Sequence, residues 1–203
     1  GGIQWSAPAL LGRQDIELIG LAAIPWMCKV DAWGQRVRVL GTKAVESAAF
    51  SPPERASALL EQIASLIHIP TLPLGSFLPI ILNPGNQMLH TGILWAMFRD
   101  WDGAPLPEAP LFYEEIAEEG ADAVAAIDEE MCAIGTALAA HHPTLDLSAV
   151  LPVQVALMAA YGAEIDDASS LRAVIATNRA YAGIRTPMVE VDGGLAPDWT
   201  SRF

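Results

Sequence analysis

The segment from Pro110 to His141 constrains this chain most, because no proline interrupts it and its apolar residues keep one spacing. Phe112, Ile116, Val124, Ile127, Met131, Ile134 and Leu138 recur mostly at steps of three and four. Glu114, Glu115, Glu118, Glu119, Asp122, Asp128, Glu129 and Glu130 occupy other faces. That period is helical and does not fit a strand. Its acids lie toward the start and its histidines at the end, as a helix dipole favours. A helix with one apolar stripe must bury it against other helices, so the segment predicts a helical bundle.

The neighbouring segments extend the pattern. Asn86 to about Asp100 reads as helix, and so do Ser148–Tyr161 and Ser169–Tyr181. Pro105, Pro107 and Pro110 predict a stiff loop. Ser51-Pro-Pro-Glu54 reads as a helix start with Ser51 as N-cap, the helix running to about Ile67. Residues 1–50 read as β. An apolar run from Ile16 to Val30 is broken by Pro25, Asp31–Gly34 is a turn, and Arg36-Val37-Arg38-Val39 alternates like a half-exposed strand. The proline-rich stretch from His68 to Pro84 reads as a connector with one short helical turn, and the last twenty residues read as irregular. The expected fold is therefore mainly α: a helical bundle preceded by a short β-rich piece.

Composition narrows the function classes. Eleven basic against 24 acidic residues give a net charge of −13, and no Lys or Arg occurs between Arg99 and Arg172. A surface of that sign suits neither nucleic acid nor an anionic membrane. No apolar run approaches the length of a membrane helix. Cys28 and Cys132 lack metal spacing and do not suggest a disulfide scaffold, so a reducing cytoplasm is expected and no metal site. The sequence has no initiator Met, and we expect it to be part of a longer polypeptide.

No Gly-x-Gly-x-x-Gly, P-loop or nucleophile elbow occurs. Of four histidines, His141 and His142 read as helix-end residues and His68 as a buried or linker histidine. His90 differs. It follows the Asn83-Pro-Gly-Asn86 turn, which can present a helix's first residues to a cleft, and imidazole exchanges protons near neutral pH. Asn86, four residues earlier, shares a face with His90 if the helix has begun, and is otherwise its N-cap. Asp166 and Asp167 read as caps. Arginines are few in the helical part: Arg99, Arg172, Arg179, Arg185 and Arg202. Each suits the surface; if a carboxylate site exists, Arg172, Arg179 or Arg185 would serve it.

Three stretches, in order, resemble the octopine/nopaline dehydrogenase family. Ile24-Pro-Trp-Met-Cys-Lys29 with Val39-Leu-Gly-Thr-Lys43 is similar to two strands at the far edge of its nucleotide domain. Asn86-Gln-Met-Leu-His90 is similar to its Asn-x-x-x-His, although the proline usual after that His is Thr91 here. Tyr161-Gly162, Asp167, Ser169-Ser-Leu171, Thr177-Asn178, Ala180-Tyr181, Gly183 and Pro187-Met188 are similar to its C-terminal block.

The resemblance implies residues 1–69 as the end of a Rossmann-type nucleotide-binding domain. It implies residues 70–203 as a helical substrate and catalytic domain of the 6-phosphogluconate-dehydrogenase C-terminal type, truncated at its end. It further implies NAD(P)H-dependent reductive condensation of an amino acid with a 2-oxo acid such as pyruvate. His90 would be catalytic, Asn86, Arg172, Arg179, Arg185 and Tyr181 substrate-binding, and Pro25, Trp26 and Cys28 cofactor-binding, with NAD or NADP as the cofactor. The family's catalytic Asp follows a stretch that starts at Arg202-Phe203, so the polypeptide by itself is expected to be inactive. A ketopantoate-reductase-like or hydroxy-acid dehydrogenase is disfavoured, because such enzymes use a helical-domain lysine and none follows Lys43. A non-catalytic helical interaction module is the third reading. The oligomeric state is open, a homodimer included.

Overall fold

A computed structural model describes residues 3–201 of the chain. The first part holds helix α1 (Ile3–Leu11), strands β1 (Leu18–Leu21), β2 (Trp26–Ala32), β3 (Arg36–Thr42) and β4 (Glu46–Ser51), helix α2 (Ala56–Ile67) and strand β5 (Thr71–Leu74). The second holds helices α3 (Leu78–Ile81), α4 (Gly85–Phe98), α5 (Glu118–His141), α6 (Val153–Tyr161) and α7 (Leu171–Ala176), then strands β6 (Met188–Val191) and β7 (Gly194–Pro197). The architecture is thus a helical assembly preceded by strands, as the sequence predicts.

β4, α2 and β5 form a β-α-β unit. β4 and β5 pair in parallel, and β1 pairs antiparallel on the other side of β4. A parallel pair needs such a crossover, and the helix covers one face of the sheet. α2 presents Leu59, Ile63 and Ile67 at helical spacing to Ala48 and Phe50 of β4. β2 and β3 form a separate hairpin. β3 is exposed at Arg36 through Val39, so its alternating sequence does not mark one buried face.

The helical part has its own core. Met88, Leu89 and Ile93 of α4 pack with Phe112, Tyr113, Ile116, Ala121, Val124, Val153, Leu157, Val174 and Ile175. α4 and α5 approach closely enough that a Cβ on Gly92 would lie 2.6 Å from Val124 Cγ2 and 3.1 Å from the Gly120 carbonyl oxygen. Two small residues, Gly92 and Gly120, therefore set this helix crossing.

Several local expectations change. Residues 3–11 are helical, not β. Ser51 ends β4; a 3-10 turn at Pro53–Arg55 intervenes, and α2 begins after Arg55 with no side-chain cap. The expected connector contains β5, which finds its partner through a non-local parallel ladder. α5 starts at Glu118, eight residues after Pro110. The intervening residues instead pair with the distant C-terminal segment: Phe112 N–H donates to the Ile184 carbonyl at 2.7 Å and Thr186 N–H to that of Pro110 at 2.9 Å. α6 begins at Val153, α7 is short, and the last stretch contains the β6–β7 hairpin. His68 is exposed in a left-handed conformation at the end of α2.

The two parts meet along a seam. Ala44 N–H donates to the Ala160 carbonyl at 2.8 Å. Gly41 of β3 lies so close to Ala180 that a side chain there would collide with its Cβ. Met27 of β2 packs on the helical core and Trp26 on the sheet core.

Candidate active site around His90

His90 sits in the second turn of α4. Pro84 occupies the N-cap position, and Gly85 and Asn86 already lie in the helix. Asn86 is therefore not the cap; it is one turn ahead of His90 on the same helix, and exposed. The buried stripe of α4 carries Met88, Leu89, Gly92 and Ile93. His90 falls at the stripe's margin, where it is half-buried. That places an imidazole between core and solvent, with its orientation set by what it packs against.

The packing partners are aromatic. His90 Nε2 lies 3.0 Å from the Tyr113 hydroxyl. Phe112 meets the imidazole edge-on, with ring centres 5.2 Å apart at 84°. Tyr113 stacks on Tyr181 at 4.3 Å, and Tyr181 meets Tyr161 edge-on at 5.5 Å. Aromatic pairs at these separations add to the stabilisation from burial alone. Burial pushes the phenols of Tyr113 and Tyr181 well above the ordinary tyrosine value. Burial, followed by the charge of Glu46, pushes Tyr161 up to about 12. These phenols stay protonated and neutral. Burial lowers the pKa of His90, so the neutral imidazole is favoured near pH 7.

The far end of this aromatic series reaches the seam. Lys43 and Glu46 form a nearly buried ion pair, Nζ to Oε2 3.0 Å, and Glu46 Oε1 accepts from the Ser47 N–H at 2.9 Å. Such a pair is favourable only when its remaining polar atoms are also satisfied, and here the Ser47 amide helps do so.

The other residues singled out by sequence are dispersed. Tyr181 is buried behind Tyr113, where it supports the wall of the site and presents little surface to a ligand. Arg172 donates to the Ile116 carbonyl at 3.0 Å and faces Glu118; Arg179 pairs with Asp166 and Glu164; Arg185 donates to the Ala109 carbonyl and faces Glu108. Each guanidinium is thus engaged at the outer surface. Arg185 adjoins the aromatic wall through its backbone, which pairs with Leu111 next to Phe112, and Arg179 shares a 3-10 turn with Tyr181. Arg202 lies outside the described residues.

Asp166 and Asp167 serve locally: Asp167 accepts from Ser169 N–H, and Ser170 caps α7. His141 bonds the Ala137 carbonyl, and His142 closes α5. Among the described residues no group of His, Cys, Asp and Glu could hold a metal ion, and no helix is long and apolar enough to cross a membrane.

Pro25 is buried, Trp26 is half-buried in the sheet core, and Cys28 is an exposed free thiol on β2. The turn after β4 is Ser51-Pro52-Pro53. Two prolines there remove the backbone N–H donors that a dinucleotide's phosphates need at the first turn of a β-α-β unit. Among the described residues, the turn of this β-α-β unit does not build a nucleotide-phosphate site.

Tyr113 was not singled out by sequence reasoning. It lies 23 residues from His90 on a different element, and no local pattern announces the contact.

Comparison with known proteins bears on this arrangement. The family model "NAD/NADP octopine/nopaline dehydrogenase, alpha-helical domain" matches residues 73–203. Octopine dehydrogenase of Mizuhopecten yessoensis is 31% identical over 208 residues, covering 100% of this chain and 52% of that protein. Two solved structures of octopine dehydrogenase are similar. One, with NADH and L-arginine, has a TM-score of 0.80 at 31% identity, covering 100% of this chain and 51% of that one. The other, with NADH and pyruvate, has a TM-score of 0.75 at 29% identity, covering 99% and 50%. The chain spans about half the length of the curated relatives it matches. The match covers α4 with His90, the Tyr113 segment and the C-terminal block together, and the chain belongs to the NAD/NADP octopine/nopaline dehydrogenase family.

Proposed function

We propose that this chain forms the substrate side of an opine-forming dehydrogenase, with His90 as its proton-transfer residue. One observation carries the reading: a half-buried imidazole, one helical turn after Asn86 and fixed by an aromatic wall, lies inside the region that matches the family's helical domain. An amino acid's amine condenses with the carbonyl of a 2-oxo acid such as pyruvate and loses water. Reduction of the imine adds a hydride at carbon and a proton at nitrogen, giving a secondary-amine dicarboxylate. NAD(P)H supplies the hydride. His90 exchanges the proton at the nitrogen or at the carbonyl oxygen, as a positioned imidazole can.

The nucleotide would be held on a glycine-rich fold outside these residues. Of Pro25, Trp26 and Cys28, Cys28 has the exposed side chain that such a domain could meet. Asn86 is placed to orient the substrate beside His90, and Arg185 is the arginine best placed to reach a substrate carboxylate. Arg172, Arg179 and Arg185 would each first have to leave their acidic partners, and Tyr181 acts from behind Tyr113. Both cysteines are free thiols, in keeping with a cytoplasmic, reducing setting.

The test is NADH oxidation with pyruvate and a panel of amino acids. The purified chain should show none. A polypeptide joining it to the segments that flank the matching region in an octopine dehydrogenase should turn over. Turnover by the chain alone, or none by the joined protein with any amino acid, overturns the reading.

A further inference from the structure

We propose that Tyr113 is the positioning residue of His90: its phenol donates to Nε2 and holds the imidazole in the tautomer that carries its proton on Nδ1. The inference deepens the proposed role of His90 and rests on that reading for its catalytic meaning, but the tautomer can be read without any activity.

Geometry supports it first. The hydroxyl lies 3.0 Å from Nε2, a full hydrogen bond, and both rings are held by packing rather than by this bond alone. Phe112 fixes the imidazole edge, and Tyr181 stacks on the opposite partner, Tyr113. The backbone that carries Tyr113 is anchored at both ends. Phe112 N–H bonds the Ile184 carbonyl, Leu111 N–H bonds the Glu115 carboxylate at 2.9 Å, and Ile116 N–H returns to the Tyr113 carbonyl. The hydroxyl is therefore placed by a rigid segment, not by a mobile loop.

The direction of the bond follows from the chemistry of the two groups. Neutral imidazole has one donor and one acceptor nitrogen, and a phenol can play either part. A phenol is the more acidic donor of the two, and an imidazole nitrogen is the more basic acceptor. With both groups neutral, O–H to Nε2 is the stronger arrangement, and burial keeps both neutral. Nε2 then accepts, and Nδ1 bears the hydrogen. In the protonated state both ring nitrogens of His90 are donors, and the Tyr113 hydroxyl rotates so that its oxygen accepts from Nε2. One side chain thus serves both charge states without moving its ring, which suits a group that must gain and lose a proton in each turnover.

The experiment is two-bond 1H–15N NMR on the 203-residue chain with 15N-labelled histidine, with the His90 signals assigned from a His90→Gln sample. The expected result near pH 7.5 is a protonated Nδ1 and an unprotonated Nε2. In Tyr113→Phe the phenyl ring keeps the stack on Tyr181 but loses the donor, and the tautomer ratio should shift toward the proton on Nε2 by about fivefold to tenfold, the weight of one neutral hydrogen bond. Tyr181→Phe keeps the Tyr113 hydroxyl and should leave the ratio as it is. A wild-type His90 protonated on Nε2 overturns the proposal, and so does a ratio unchanged in Tyr113→Phe. If Tyr113→Phe fails to fold, the wild-type spectrum decides by itself. A positive tautomer result with an inactive joined enzyme would sink the proposed function and leave this inference standing.

Discussion

Replacing Gly92 with alanine tests whether the close approach of α4 and α5 positions the His90 helix. The added methyl would lie 2.6 Å from Val124 Cγ2, 3.0 Å from the Val124 amide nitrogen and 3.1 Å from the Gly120 carbonyl oxygen. Two of these three atoms are backbone, and the third belongs to a β-branched side chain with little rotamer freedom. Nothing in that set yields cheaply, so the cost belongs at the upper end of the 1–3 kcal/mol typical of overpacking, about 3 kcal/mol. Alanine recovers about 1 kcal/mol of helix propensity over glycine. The net loss should be about 2 kcal/mol, which for a domain near this size lowers the melting temperature by about 4–8 °C. Gly162→Ala is the control. Gly162 has a right-handed helical backbone and open space around its Cβ position, so alanine there should be neutral or gain about 0.4–1 kcal/mol. Urea and thermal unfolding followed by circular dichroism report both. A Gly92→Ala protein as stable as wild type would refute the argument, because the helices would then have room that the geometry denies them.

Two further substitutions probe the supports of the fold. Asp128 of α5 reaches across to the first turn of α6, where its Oδ2 accepts from the Val153 N–H at 2.9 Å, and it is 8% exposed. Asp128→Ala leaves that amide without its partner and should cost about 1–3 kcal/mol, read from the urea midpoint. Asp128→Asn keeps an acceptor and removes a charge that burial already disfavours, so it should stay within about 1 kcal/mol of wild type. At the seam, Lys43→Met strands the buried Glu46 carboxylate and should cost about 3–5 kcal/mol, whereas adding Glu46→Gln should restore a large part of the loss in the same unfolding assay.

The sequence made α4 legible because helical spacing, the Asn83–Asn86 turn and the scarcity of breakers agree from Asn86 onward. It made α2 legible to its last residue, and the β2–β3 turn within two residues. What it could not show were the features fixed by distant partners. Phe112 and Ile116 match the spacing of α5, yet the segment leading into them is drawn out of the helix by the bonds of Phe112 to Ile184 and of Pro110 to Thr186, more than sixty residues away in sequence. β5 has only four residues and contains Pro73, and it becomes a strand through its ladder to β4. The β6–β7 hairpin turns at Asp192-Gly193, a signal present in the sequence but flanked by strands too short to stand out. The candidate site divides the same way. His90 and Asn86 share one helix and one motif, so spacing revealed them. Tyr113 and the Lys43–Glu46 pair join the site only through tertiary packing, and the arginines, chosen for charge alone, turn out to be held by nearby oxygens.

The central claim is that His90 moves the proton in the family's reaction, and turnover in the joined polypeptide tests it most directly. NADH oxidation in the presence of pyruvate and the best amino acid would be compared between wild type and His90→Ala, with melting temperature as the folding control. Loss of a positioned general acid–base predicts a fall in kcat of about 100-fold to 10,000-fold with the fold intact. A His90→Ala enzyme that melts like wild type and turns over at the wild-type rate would contradict the account.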